Sequence, residues 1–182
     1  MNKLISLLSL AVILGLINGS IYSKEQHLAN GEIVYLELAP VDPRSLMQGD
    51  YMALNFSMGR SIQQEIAESK PHQHASSGYV IVSLDKRHVA SFKALYTDQV
   101  LADNERLLRY RSRNGNVKFA TNAFFFQEGH GEYYESAKYG QFRVDDDGEL
   151  LLTAMYDKDL LKIGAENQPA KQDTTAADSG DQ

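Results

Sequence analysis

From Leu4 to Tyr22 the chain carries no charged side chain and is dominated by Leu, Ile, Val and Ala. A helix over that run is about 28 Å long, close to the thickness of the hydrocarbon core of a bilayer. Such a segment divides the molecule, because its apolar surface points all round and whatever follows must fold without it. Lys3 and the free amine precede the run, and Lys24-Glu25 follow it with no net charge. That bias favours a cytoplasmic N-terminus and places the bulk of the chain outside. The preferred reading is an uncleaved signal-anchor over residues 1–23, with Tyr22 in the outer interface. A cleaved signal peptide is the rival, with Leu7–Leu16 as its apolar region and Asn18-Gly19-Ser20 near a cleavage point. A buried helix of a soluble protein is the third reading. No Ala-x-Ala site occurs, and Ile17, Ile21 and Tyr22 prolong the apolar stretch, which favours the anchor. The expected location is the inner (cytoplasmic) membrane, crossed once, with the domain facing the periplasm or the cell exterior.

Three zones follow: a polar stem over 24–31, a folded domain over 32–161 and a tail over 162–182. The tail has almost nothing to anchor it to a core and is expected to be disordered. Hydrophobic residues make up 43% of the chain, enough for the middle zone to build a core. The net charge of −6 argues against nucleic acid as a partner. The chain has no cysteine, which excludes disulfides, thiol catalysis and cysteine-held metal centres.

Within the domain the hydrophobic period is mostly two. Ile33, Tyr35 and Glu37 share one face of a strand, with Val34, Leu36 and Leu38 on the other. Met52, Leu54 and Phe56 alternate with Ala53 and Asn55 in a second, and Tyr79–Leu84 forms a third that turns at Asp85-Lys86-Arg87 and returns through Val89 and Phe92. Leu107–Arg113, Asn114-Gly115 and Asn116–Phe126 read as a hairpin about a type I′ turn, with Arg109, Arg111 and Arg113 on one face of its first arm. Phe142–Asp145 and Leu150–Met155 make another hairpin about Asp146-Asp147-Gly148. Two short helices are expected. One starts at a capping box, Ser61-x-x-Gln64, carries Ile62, Ile66 and Ala67 as its stripe, and ends before Pro71. The other covers Gly131–Tyr139. The fold class is therefore mainly β, a β-rich α+β arrangement of antiparallel hairpins with two short helices, preceded by one transmembrane helix.

Gly49-Asp50-Tyr51-x-x-Leu54-x-Phe56 resembles the motif of the bacterial GDYXXLXY proteins, with Phe56 in place of the final Tyr. The substitution keeps the ring and drops the hydroxyl. Pro40-Val41-Asp42-Pro43-Arg44-Ser45-Leu46 is similar to the lead-in of that family. Phe124–Gly129, followed by Tyr134-Glu135-x-Ala137-x-Tyr139-Gly140, is similar to its second block. Arg143–Gly148 resembles its closing hairpin. The resemblance runs from Glu32 to Leu161, in order. It implies a membrane-anchored domain that occurs fused to, or beside, polytopic membrane proteins, and it carries over no activity and no catalytic residue.

Physically, Gly49 and Asp50 suit a turn that leads into a strand, and Arg44 is the natural ionic partner of Asp42 or Asp50. Motif or contact residues are expected at Arg44, Gly49, Asp50, Tyr51, Leu54, Phe56, Glu128, Gly129, Tyr134 and Glu135. The preferred function is non-enzymatic: an accessory or interaction module for a polytopic membrane protein, with no cofactor. The competing class is a membrane-anchored hydrolase. Pro43-x-x-Leu46-x-x-Gly49-Asp50 is similar to a stretch of type I signal peptidases, but no serine precedes the proline, leaving Ser45 as the only nearby hydroxyl and Lys86 as the only plausible central lysine base. A metal-dependent version would use His72, His74 and His130 with Glu128 or Glu132. His27 and His88 read as isolated surface residues.

Overall fold

The computed structural model describes residues 2–39, 51–69, 75–113, 115–121, 123–128 and 130–164. Helix α1 (Asn2–Asn30) runs without a break through the apolar stretch and on through the residues read as a stem. Its apolar side chains from Ile5 to Tyr22 are exposed, as the uncharged run requires. The helix is long and apolar enough to cross a membrane.

Among the described residues every pairing between strands is antiparallel. One four-stranded sheet has the order β1 (Glu32–Glu37), β8 (Tyr139–Val144), β9 (Leu150–Tyr156), β10 (Lys162–Ile163). A second has the order β4 (Ala90–Leu95), β3 (Ala75–Leu84), β5 (Glu105–Arg113), β6 (Asn116–Phe119). The short pair β2 (Tyr51–Ala53) and β7 (Ala123–Phe125) stands beside them. Hairpins join β3 to β4, β5 to β6 and β8 to β9, while β1–β8, β2–β7 and β3–β5 pair strands that are not consecutive. Helix α2 (Gly59–Ser69) lays Ile62 and Ile66 into the core and packs on β4 and β6, and α3 (Gly131–Tyr134) is a single turn.

The two faces read for β1 are distinct in the structure. Val34 and Leu36 point inward from β1, with Leu38 just past its end, and Val80 and Val82 from β3, with Leu108 and Tyr110 from β5 and Phe142 and Val144 from β8. Burial of these branched and aromatic side chains supplies most of the driving force. Arg109, Arg111 and Arg113 lie on the outer face of β5, as their spacing implies. Gly115 adopts φ +76° in the β5–β6 turn, the positive-φ role that the Asn-Gly pair signalled. Gly148, at φ +74°, is required twice over, because a Cβ there would lie 2.9 Å from the carbonyl oxygen of Leu107.

Several local expectations differ from the fold. The second strand, read over Met52–Phe56, is a strand only over Tyr51–Ala53, and the tail read from residue 162 opens with Lys162 and Ile163 paired as β10 with Tyr156 and Met155. Ser61 lies inside α2, which begins at Gly59, so it does not cap the helix; Ser57, before the first turn, instead donates its hydroxyl to Leu38 O at 3.1 Å. The second arm of the Asn-Gly hairpin ends at Phe119, where Ala120 takes φ +40° and turns the chain away to pair as β7 with β2. The helix expected over Gly131–Tyr139 lasts one turn, because Tyr139 is already bound into β8 opposite Glu37. Sheet pairing outweighs the helical spacing of Tyr133, Tyr134 and Ala137.

Candidate functional site

The two blocks of the motif meet in space. Tyr51, Met52 and Ala53 of β2 stand opposite Phe125, Phe124 and Ala123 of β7. Tyr51 is half-buried, its ring centroid 5.8 Å from that of Phe125. Leu54 and Phe56 are core residues, and Phe56 lies edge-on between Phe119 at 5.4 Å and Phe142 at 5.8 Å. Behind β7, Tyr134 packs between Phe124 at 5.0 Å and Phe126 at 5.1 Å. Glu128 and Glu135 are exposed at this aromatic end, and His130 is half-buried against Tyr133. Phe125, in contrast to its neighbours, is 74% exposed.

Arg44, Gly49, Asp50, Gly129, His72 and His74 lie outside the described residues, as does Ser45. Lys86 is exposed on the β3–β4 turn. Among the described residues no three His, Asp or Glu side chains converge as a metal site would need.

The densest polar constellation lies at the opposite end, where α1 meets the sheet. His27, expected at the surface, is 7% exposed. Its Nε2–H donates to Arg143 O at 2.8 Å. Its Nδ1 faces Asp145 Oδ2 at 3.3 Å. The other oxygen of Asp145 accepts the backbone N–H groups of Asp147 at 3.2 Å and Glu149 at 2.8 Å, so the β8–β9 turn fixes the carboxylate. Arg143 returns the contact, its Nη1 donating to Gly31 O at 2.8 Å. Gly31 N donates to His27 O at 2.9 Å, closing the helix, and a Cβ on Gly31 would fall 2.6 Å from that same oxygen and 3.1 Å from Arg143 Cβ. Only glycine lets the helix end pass this close to β8.

A second group of charges flanks the first. Arg106 forks onto Glu32, with Nη2 to Oε1 at 3.1 Å, while its Nη1 donates to Asp103 O and Glu105 O. His88 Nδ1 lies 3.9 Å from Glu32. Beside them is a cavity of about 590 Å³, lined among others by Ser23, Gln26 and Asn30 of α1, by Leu101 and Arg106, and by Asp146. Two nearby carboxyls are held below the ordinary carboxylate range. For Glu105 the chief cause is the hydrogen bond from Lys93, for Asp85 the backbone N–H of Val89. Each ties a turn to its strand.

Sequence reading missed His27, Gly31, Arg143 and Asp145 as a set. The partners are 112 and 116 residues apart, and no local pattern marks a lone histidine on a helix as one half of such a contact.

Fold and site together define a β-rich domain bonded to the end of one long apolar helix. The chain belongs to the GDYXXLXY protein family, whose model matches residues 13–155. No curated protein and no solved structure matches it. The family match takes in the last part of the apolar run, the junction and both motif blocks.

Proposed function

We propose that the protein is a single-pass, membrane-anchored accessory module that presents its extracytoplasmic β-domain to a polytopic membrane protein. The observation that carries this reading is the continuity of α1. An uncovered apolar helix enters the domain and is bonded there through His27, Gly31 and Arg143. A flexible stem would serve a tethered catalyst, which must search for substrate. A fixed junction serves a module whose orientation to its membrane neighbour matters. Phe125 and Glu128, exposed at the far end, are the proposed contacts with that neighbour, an aromatic anchor beside a polar rim.

The test is purification of the tagged, full-length protein in mild detergent after photocrosslinking from position 125. The expected result is one polytopic protein in fixed ratio, lost in Phe125→Glu. Recovery of the chain alone from both samples would overturn the reading.

A further inference from the structure

We propose that the β4–β5 loop is a second membrane contact, with Val100 seated in the lipid headgroup region beside the exit of α1. The inference rests on the membrane-anchored reading above and adds to it a surface that the motif does not mark. Val100 is 95% exposed. A single exposed valine is ordinary on a soluble surface; its placement is what singles this one out.

The loop is held in shape by its own bonds. Gln99 Oε1 accepts from Thr97 N at 2.5 Å and Thr97 Oγ1 at 3.0 Å, and its Nε2 donates to Leu95 O at 3.1 Å. Asp98 takes φ +67°, and Ala102 and Glu105 close the far side, with Ala102 N on Glu105 Oε2 at 3.1 Å. Val100 is therefore presented outward from a braced turn.

Leu101, the next residue, lines the same cavity as Ser23, Gln26 and Asn30. Ser23 directly follows the apolar run, and Ser23 to Asn30 covers only about 10 Å of helix. The headgroup layer beyond the hydrocarbon is roughly 5–8 Å deep on each side. A loop whose Leu101 walls the same cavity as those turns lies at that depth or just above it. The apolar tip then gains contact with lipid while Asp98 and Asp103 at its flanks stay in water. Because α1 already holds the domain at the bilayer, the loop contact is intramolecular and needs no separate recruitment to the membrane. Its effect is to fix the tilt of the domain, together with the junction at His27.

The chain has no tryptophan, so one introduced residue reports alone. Val100→Trp and, separately, Tyr22→Trp would be placed in the full-length protein and reconstituted into phosphatidylcholine–phosphatidylglycerol vesicles with brominated acyl chains. The expected result is blue-shifted emission and at least twofold quenching at both positions. Quenching at 22 with water-like, unquenched emission at 100 would overturn the loop contact and leave the anchor standing. Absence of quenching at both would overturn the anchor, and the loop contact with it. Since tryptophan itself favours interfaces, hydrogen exchange supplies the second reading. The Leu101 amide of the unmodified chain in vesicles should exchange several-fold more slowly than in Val100→Asp, and equal rates would overturn the proposal.

Discussion

The two ends of the β-domain are closed by opposite means. At the aromatic end, Tyr51, Phe124, Phe125, Phe126 and Tyr134 meet ring on ring, at centroid distances from 5.0 to 5.8 Å. At the junction, His27, Gly31, Arg143 and Asp145 meet through directional bonds, with Glu32 and Arg106 beside them. Ring contacts gain energy over a range of angles and tolerate small rearrangements. Hydrogen bonds weaken steeply away from alignment, so they fix one rotation of helix against sheet. The aromatic end can therefore absorb small shifts, while the junction fixes one rotation of α1 against β8.

Removing the element shared by both ends should have the largest effect. Phe56 reaches Phe142 of β8, the residue before Arg143, from the motif side of the core. Phe56→Ala should destabilise the domain by about 3–5 kcal/mol. Urea unfolding should show the loss, and a spin label on Leu28 should lose its ordered signal in the same transition. If α1 stays docked after the sheets have melted, the two ends are independent.

Next in size is a change confined to the junction. A Cβ at Gly31 meets backbone and a sheet residue, neither of which can give way cheaply. Gly31→Ala should cost about 1–3 kcal/mol of docking energy. His27→Ala, which leaves Arg143 O and the Asp145 carboxylate without the ring, should cost about the same. Both should broaden the distance distribution between labels at Leu28 and Thr153, both exposed, with little change in the urea midpoint of the β-domain. A narrow distribution in both variants would mean that the junction does not aim the helix.

A smaller effect separates buried from exposed charge. The side chain of Glu105 is 6% exposed and bonded by Lys93 and by Ala102 N. These bonds hold its folded pKa below the ordinary value. Its contribution is complete above the unfolded carboxylate pKa and is lost as the pH falls through the lower folded one. The unmodified domain should therefore weaken on acidification in that window, and Glu105→Gln should flatten the slope. Asp85, lowered chiefly by Val89 N, should leave a residual slope. An unchanged slope in Glu105→Gln would place the acid sensitivity elsewhere.

What was legible in the sequence follows the range of the interactions. The alternation of β1, the Gly115 and Gly148 turns and the uncharged helix were readable, because alternation, positive φ and lack of charge are local. The pairing of β2 with β7 was not, because nothing near Ala123 reports that Ala120 has turned the chain. The capping box failed for a related reason: helix α2 starts where Met58 and Gly59 meet the core, two residues before the polar signal. His27 was the largest omission. Its burial is set by strand β8, far along the chain, and a helix that ends in polar residues looks the same whether it fades into a stem or docks on a sheet.

The smallest expected effect tests whether polar contacts as such matter, or only those at the junction and in the interior. Arg109 and Glu149 form an ion pair across the β5 and β8–β9 surfaces, with side chains 50% and 41% exposed. Water already solvates both groups, so little is gained when they meet, and salt screens what remains. The turn they flank is held in any case by Arg109 N donating to Gly148 O at 2.8 Å and by the bonds to Asp145. Glu149→Gln should leave the urea midpoint and the Leu28–Thr153 distance unchanged, at low and at high salt. A midpoint shift as large as that of Glu105→Gln would mean that exposed pairs brace the β8–β9 turn. Asp145 would then owe its fixed position to the surface as well as to the backbone, and the contrast between the two ends would narrow to one of geometry.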